Sequence, residues 1–303
     1  MKLLTAIALL TCAVLAHEGP EHEIEELTAR MAKQGETAEL LAERAVEYRV
    51  MGKLAEATKD LERAATLDPN SIDVHRELGR VQLLGGKAPE ALATVTRALS
   101  IKTDEPADTA SLRILRAEIL RSQNENKKAL EDCDAGLRLH KQNPEWYLLR
   151  SDLHRRLKLP KERLAGIAEG ITATGAGVLE IEHIEALLDS GQFNAALTTI
   201  GTELAQSRIK SSWLIRRARA FLGLGKKAEA ETDLKAALEE ITPRLNARTP
   251  DAPLLMDKAL ALDLLGEKKD ALRAYEEARD NGANDSVNEL IKALQPPPPP
   301  AAK

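Results

Sequence analysis

The chain has 303 residues and a formal net charge of −5, with 2% aromatic and 30% charged residues. Ala, Leu, Glu, Lys and Arg dominate, which argues against a large β-sandwich or barrel, since those draw on aromatic and β-branched side chains. An acidic pI of about 5.8 and few rings for base stacking argue against a nucleic-acid partner.

Residues 1–16 read as a secretory signal peptide. Lys2 supplies the positive start, Leu3 to Leu15 is almost wholly apolar, and Ala13-Val14-Leu15-Ala16 offers small or aliphatic residues before a cut after Ala16. The apolar run is shorter than the roughly 20 residues that span a bilayer, and no other segment approaches that length. The chain is therefore expected to be exported to the periplasm or outside the cell, with no transmembrane segment. Cys12 has the setting of a bacterial lipidation site, yet Thr11 precedes it where that signal wants Gly or Ala, and a cut there leaves a very short apolar core. Cleavage after Ala16 removes Lys2, takes the charge to −6 and leaves Cys133 as the single cysteine. Flanked by Asp132 and Asp134 in an apolar stripe, Cys133 reads as a small buried hydrophobe.

Residues 17–37 then form a polar leader and an amphipathic capping helix over Glu21 to Lys33, with Ile24, Leu27 and Met31 on one side. From 38 to 285 an internal period takes over. Ala57, Ala91, Ala129, Ala196, Ala230 and Ala271 each lie one turn inside a helix, and a spacing of 34 separates Ala57 from Ala91, Gly52 from Gly86 and Gly191 from Gly225. Four residues after each alanine comes a larger residue on the same face: Leu61, Val95, Cys133, Ile200, Leu234 and Tyr275. Three further on, Ala64, Ala98, Gly136, Ala237 and Ala278 complete a stripe that allows close helix packing.

With Leu78-Gly79, Tyr48, Ala57-x3-Leu61 and Pro69, the pattern resembles the tetratricopeptide repeat. About seven repeats are placed at 38–71, 72–105, 110–143, 144–176, 177–210, 211–244 and 252–285. In the fourth, Arg163 stands where alanine is expected, so either that hairpin is splayed or the frame shifts. Leu115-Arg116-Ala117, Leu149-Arg150-Ser151 and Arg217-Ala218 carry an arginine before the small residue, read as a stem that packs while its head reaches solvent. A closing helix over 286–295 uses Val287, Leu290, Ile291 and Leu294 to cover the last repeat, and 296–303 is a proline-rich tail, read as a disordered spacer. The resemblance implies an all-α, TPR-type α-solenoid, a right-handed superhelix of helix-turn-helix repeats.

Stacked hairpins generate a long concave surface, and the resemblance implies that first helices line it. The places concerned hold Arg49, Arg76, Arg80, Arg121, Arg155 and Arg156, with Glu118 and Asp152 among them. Arginine grips carboxylates with paired hydrogen bonds, so the expected partner is a protein or peptide, acidic in character, held by a scaffold or adaptor. The other reading of these charges is a solvated face of pairs between neighbouring helices. No nucleophile–base pair, H-E-x-x-H or glycine-rich phosphate loop is found, so neither catalysis nor a cofactor is expected. His75, His140, His154 and His183 lie in different repeats without ligand spacing. The cut would expose His17-Glu18-Gly19-Pro20-Glu21-His22-Glu23, and its amine with two imidazoles supports an alternative function: a copper- or zinc-binding envelope accessory protein using His17 and His22.

Overall fold

The structure, a computed structural model, describes residues 19–245, 250–283 and 286–295. The regular elements among the described residues are sixteen α-helices and one 3-10 turn, Thr242–Arg244, so the class is all-α. No described helix is long and apolar enough to cross a membrane. The signal-peptide segment, His17 and the proline-rich tail lie outside the described residues. The chain divides into two compact units. One runs through Leu159 and takes in Thr172–Gly175; the other holds Pro160–Ile171 and the described residues from Ala176 onward.

In the first unit α1 (Pro20–Gln34) packs on a hairpin of α2 (Ala38–Val50) and α3 (Leu54–Leu67). Next come α4 (Ile72–Leu84) with α5 (Ala88–Ala98), α6 (Pro106–Ser122) with α7 (Asn126–Leu139), and α8 (Pro144–Arg156). After α9 (Pro160–Thr174), the second unit holds α10 (Gly177–Asp189), α11 (Phe193–Gln206), α12 (Ser211–Gly223), α13 (Lys227–Ile241), α14 (Ala252–Leu265), α15 (Lys268–Asp280) and α16 (Ser286–Leu294). Within the first unit α2 lies against α4, α4 against α6 and α6 against α8, so the leading helices of successive hairpins share one face.

Local chemistry sets the helix ends. Thr37, Ser71 and Asp251 accept, through their side chains, the backbone N–H three residues on, each satisfying a donor that the first turn leaves open. Pro20, Pro106 and Pro144 open their helices, where a missing N–H costs nothing. The turns inside the first two hairpins pass through Gly52 and Gly86 at φ of 72° and 73°, a left-handed conformation natural to glycine. Asn124 and Lys158 adopt it in the next two, at 62° and 58°.

Burial follows the small-and-large stripe. Ala57, Ala91, Ala129, Ala196, Ala230 and Ala271 are all 0% exposed, and the larger residue one turn later is buried in each case. The approach is tight at Gly79 of α4, where a Cβ would stand 2.5 Å from Val95 Cγ2 of α5, and tighter at Gly223 of α12 against the Phe193 ring of α11. Val287 and Ile291 of α16 are buried against α15, whereas Leu290 stays 38% exposed.

The arginines that precede small residues do not send their heads to solvent. Arg116 donates Nε to Asp132 Oδ2 at 2.5 Å and Nη2 to Oδ1 at 2.7 Å, and Arg113 adds a bond to Oδ1 at 3.0 Å. Arg217 grips Asp233 in the same two-pronged way at 2.7 Å, and Arg44 grips Asp60 at 2.7 and 2.8 Å. All three pairs have a separation of 16, from the leading helix to the third residue after the marker alanine, and each aspartate is buried. A buried carboxylate holds its charge only beside such a partner, and this draws the head inward. Arg150 is itself buried, its guanidinium carbon 5.0 Å from the centre of the Tyr147 ring. In the second hairpin Leu78 and Thr94 stand at the places of the arginine and the aspartate. Arg163, where alanine was expected, is buried in α9 and reaches across to α10, 2.7 Å from Glu182 and 2.8 Å from Asp189.

Candidate binding face

The face shared by α2, α4, α6 and α8 carries all six arginines of the sequence reading, and they fall into two groups. Toward α2 they are neutralised by acids. Arg49 of α2 pairs with Glu77 of α4, and Arg76 pairs with Asp73 of its own helix while lying 3.4 Å from Ser111 Oγ and 3.9 Å from Asp108. Toward α8 positive charge is in excess. Asp152 receives Arg121 from α6 at 3.2 Å and Arg156 at 2.7 Å and Arg155 at 2.5 Å from its own helix, three guanidinium groups on one carboxylate. Burial pushes the Asp152 carboxyl up, but the hydrogen bonds from Arg156 and Arg155 outweigh it and hold the group below the ordinary range. Arg155 and Arg156 remain 54% and 41% exposed, with donors left for another acceptor.

Between these groups Arg80 is exposed and makes no ion pair among the described residues. It acts at longer range on Glu118 of α6, whose carboxyl burial holds above the ordinary range against the pull of Arg80 and Arg121. A carboxyl with raised pKa beside guanidinium groups offers a proton donor or an acceptor according to pH.

A groove of about 320 Å³ separates α2 from α4 on this face. Ala42, Val46 and Val74 form its apolar floor, and Glu39, Glu43, Asp73 and Glu77 stand around it with Arg76. These acids stand at other positions of the repeat than the arginines do. A signal was present: Glu39 and Asp73 are 34 apart, as are Glu43 and Glu77.

In the second unit Glu185 of α10 accepts from Arg216 and Arg219 of α12 at 2.8 and 2.6 Å, and burial raises the Asp257 carboxyl of α14 despite Arg216 and Arg244 nearby. His75 is buried, its Nδ1 2.8 Å from the Ser71 carbonyl, and His140 meets the Trp146 ring edge-on at 5.3 Å. His22 lies in the first turn of α1. Among the described residues no group of three His, Cys, Asp or Glu is placed to hold a metal ion.

Comparison with known proteins agrees with this arrangement. Two family models described as tetratricopeptide repeat match residues 51–113 and 181–253. No curated protein matches the chain by sequence. Among solved structures, a tetratricopeptide repeat protein from Parabacteroides merdae superposes with a TM-score of 0.62 at 20% identity, over 90% of this chain and 99% of that one. YrrB, a TPR protein with an unusual peptide-binding site, gives a TM-score of 0.51 at 14% identity, over 68% of this chain and 97% of that one. A chain of the APC/C hetero-tetramer Cut9–Hcn1 gives 0.54 at 12% identity, covering 91% of this chain and 46% of that one. At these identities the structural matches speak for the fold, and the two family models place tetratricopeptide repeats within residues 51–113 of the first unit and 181–253 of the second.

Proposed function

We propose that this chain is an exported scaffold that holds a segment of another protein or peptide on the face of α2, α4, α6 and α8. Proteins built from these repeats are typically non-catalytic scaffolds, and one structural neighbour is described as having a peptide-binding site. The observation that carries the reading is the arginine cluster on Asp152. Three guanidinium groups around one carboxylate, with Arg80 exposed beside them, leave an uncompensated positive field on an otherwise acidic protein. Side-chain carboxylates of a partner complete that cluster by two-pronged hydrogen bonds. Export is supported by the composition of residues 1–16.

The test is fluorescence anisotropy with a labelled glutamate-rich peptide on the chain from residue 17, compared with Arg155→Gln/Arg156→Gln. Both arginines are substantially exposed, so the variant keeps its helices, and affinity is expected to fall about tenfold. Equal affinity for both proteins removes the arginine cluster from the binding site.

A further inference from the structure

The shared face of the first unit changes sign along its length, and this constrains what lies on it. Around the α2/α4 groove stand four carboxylates and one guanidinium, and that guanidinium, Arg76, is already taken by Asp73. Glu77 is occupied by Arg49. Glu39 makes no ion pair among the described residues, and Glu43 shares only Arg30 at 3.5 Å, both ends of that pair about half exposed. Two carboxylates are thus open to a cation at the rim of an apolar floor. At the other end, between α6 and α8, three guanidinium groups share one acid.

We propose that the α2/α4 groove seats an apolar side chain flanked by lysine or arginine, and that the partner is an extended segment with its cationic end there and its acidic end over Arg121, Arg155 and Arg156. The inference rests on the binding face proposed above and adds the chemistry and the polarity of the occupant. A groove of about 320 Å³ is at the small end of ligand sites, with room for one or two side chains and not for a folded domain. Ala42 and Val46 lie one turn apart on α2, and Val74 closes the floor from α4; Ser71 also lines the groove, its Oγ already accepting the Val74 N–H. Lysine and arginine put an aliphatic stem along such a floor while their charged heads reach Glu39 and Glu43 at the rim. Neighbouring helices sit about 8–10 Å apart, so the groove and the Asp152 cluster, two steps along, are about 16–20 Å apart. An extended chain covers that in about five or six residues. Like-charged ends exclude wrong partners: an all-acidic segment meets repulsion at Glu39 and Glu43, an all-basic one at the arginines.

Anisotropy titrations with synthetic peptides test this. Two bipolar peptides place a lysine–leucine–lysine end and a glutamate pair about five residues apart, one in each chain direction; a third alternates the same charges, and a fourth keeps only the glutamate pair. One bipolar peptide is expected to bind about tenfold more tightly than the alternated isomer, and Glu39→Gln/Glu43→Gln should bring it down to the level of the glutamate-only peptide. The wild-type series needs no variant and so is independent of any effect of the substitutions on folding. If both bipolar peptides bind no better than the glutamate-only peptide, and the variant changes nothing, the cationic subsite is overturned while the arginine cluster stands. Failure of all four peptides to bind overturns both.

Discussion

Replacing Arg116 by methionine keeps most of the aliphatic stem and removes two of the three charge-assisted bonds to Asp132, a residue only 4% exposed. Breaking a buried pair from one side costs about 3–5 kcal/mol where the orphaned charge is left alone. Arg113 remains at 3.0 Å, and the Arg116 side chain is 24% exposed, so the expected loss is nearer to about 2 kcal/mol. The partner change, Asp132→Leu with Arg116→Met, removes both charges together. Apolar replacement of a buried pair is often neutral, and the second hairpin already folds with Leu78 and Thr94 at these places, so the double variant should lie within about 1 kcal/mol of wild type. Urea unfolding followed by circular dichroism measures the cycle, and hydrogen exchange across α6 and α7 localises it, because repeat arrays open segment by segment. A loss below about 0.5 kcal/mol for Arg116→Met, or a double variant no better than the single, would refute the reasoning.

Further outcomes follow from the same geometry. Lys158→Gly should raise stability by about 0.5–1 kcal/mol in urea titrations, because lysine at a φ of 58° bears a strain that glycine does not. Gly79→Ala should cost about 1 kcal/mol, the clash with Val95 exceeding the gain in helix propensity, and less in a Val95→Ala background where the space is open. Burial, followed by the charge of Asp134, pushes the Cys133 thiol from 9.0 up to about 12. The folded thiol stays protonated where the unfolded one ionises, so its stabilisation is complete below pH 9.0 and is lost as pH rises to about 12. Cys133→Ala should flatten that alkaline loss, and the folded wild type should resist a thiol reagent at about pH 8. Expressed with its leader in a bacterial host, the chain should be recovered from the envelope or medium with His17 as its first residue by mass spectrometry; recovery with Met1 intact counts against export.

The fold class was legible because tight packing leaves its mark on residue size. Where two helices touch, only Ala or Gly fits, and the recurrence of Ala57, Ala91, Ala129 and the rest shows the hairpins without any three-dimensional information. Charge left a fainter mark. Whether an arginine faces a ligand or a neighbour depends on a residue one helix away, as with Arg49 and Glu77, and local patterning does not say which acid it meets. One helix taken alone leaves the heads of Arg116 and Arg217 in water; the answering Asp132 and Asp233 lie across a turn, on the partner helix. Arg163 followed the same rule at longer range, finding Glu182 and Asp189 on the next helix. The acids of the α2/α4 groove were visible as a period of 34, but only to a reading that followed acidic positions as well as basic ones.

The three buried arginine–aspartate pairs also bear on how such a chain avoids assembling wrongly. Hairpins of near-equal length and similar stripes are almost interchangeable docking partners, and misassembly between like modules is a common failure of repeat proteins. An alanine stripe tolerates a neighbouring hairpin's helix, but a buried aspartate does not. Seated against the second hairpin, Asp60 would face Leu78 in place of Arg44 and go uncompensated. Each pair therefore penalises docking against a hairpin that lacks the arginine, as the second does, while hairpins that carry the pair at the same place stay interchangeable in this respect. With Asp60, Asp132 and Asp233 all changed to leucine, refolding from denaturant should lose yield to oligomers while the protein that does fold keeps its helicity; an undiminished monomer yield would assign the pairs to stability alone.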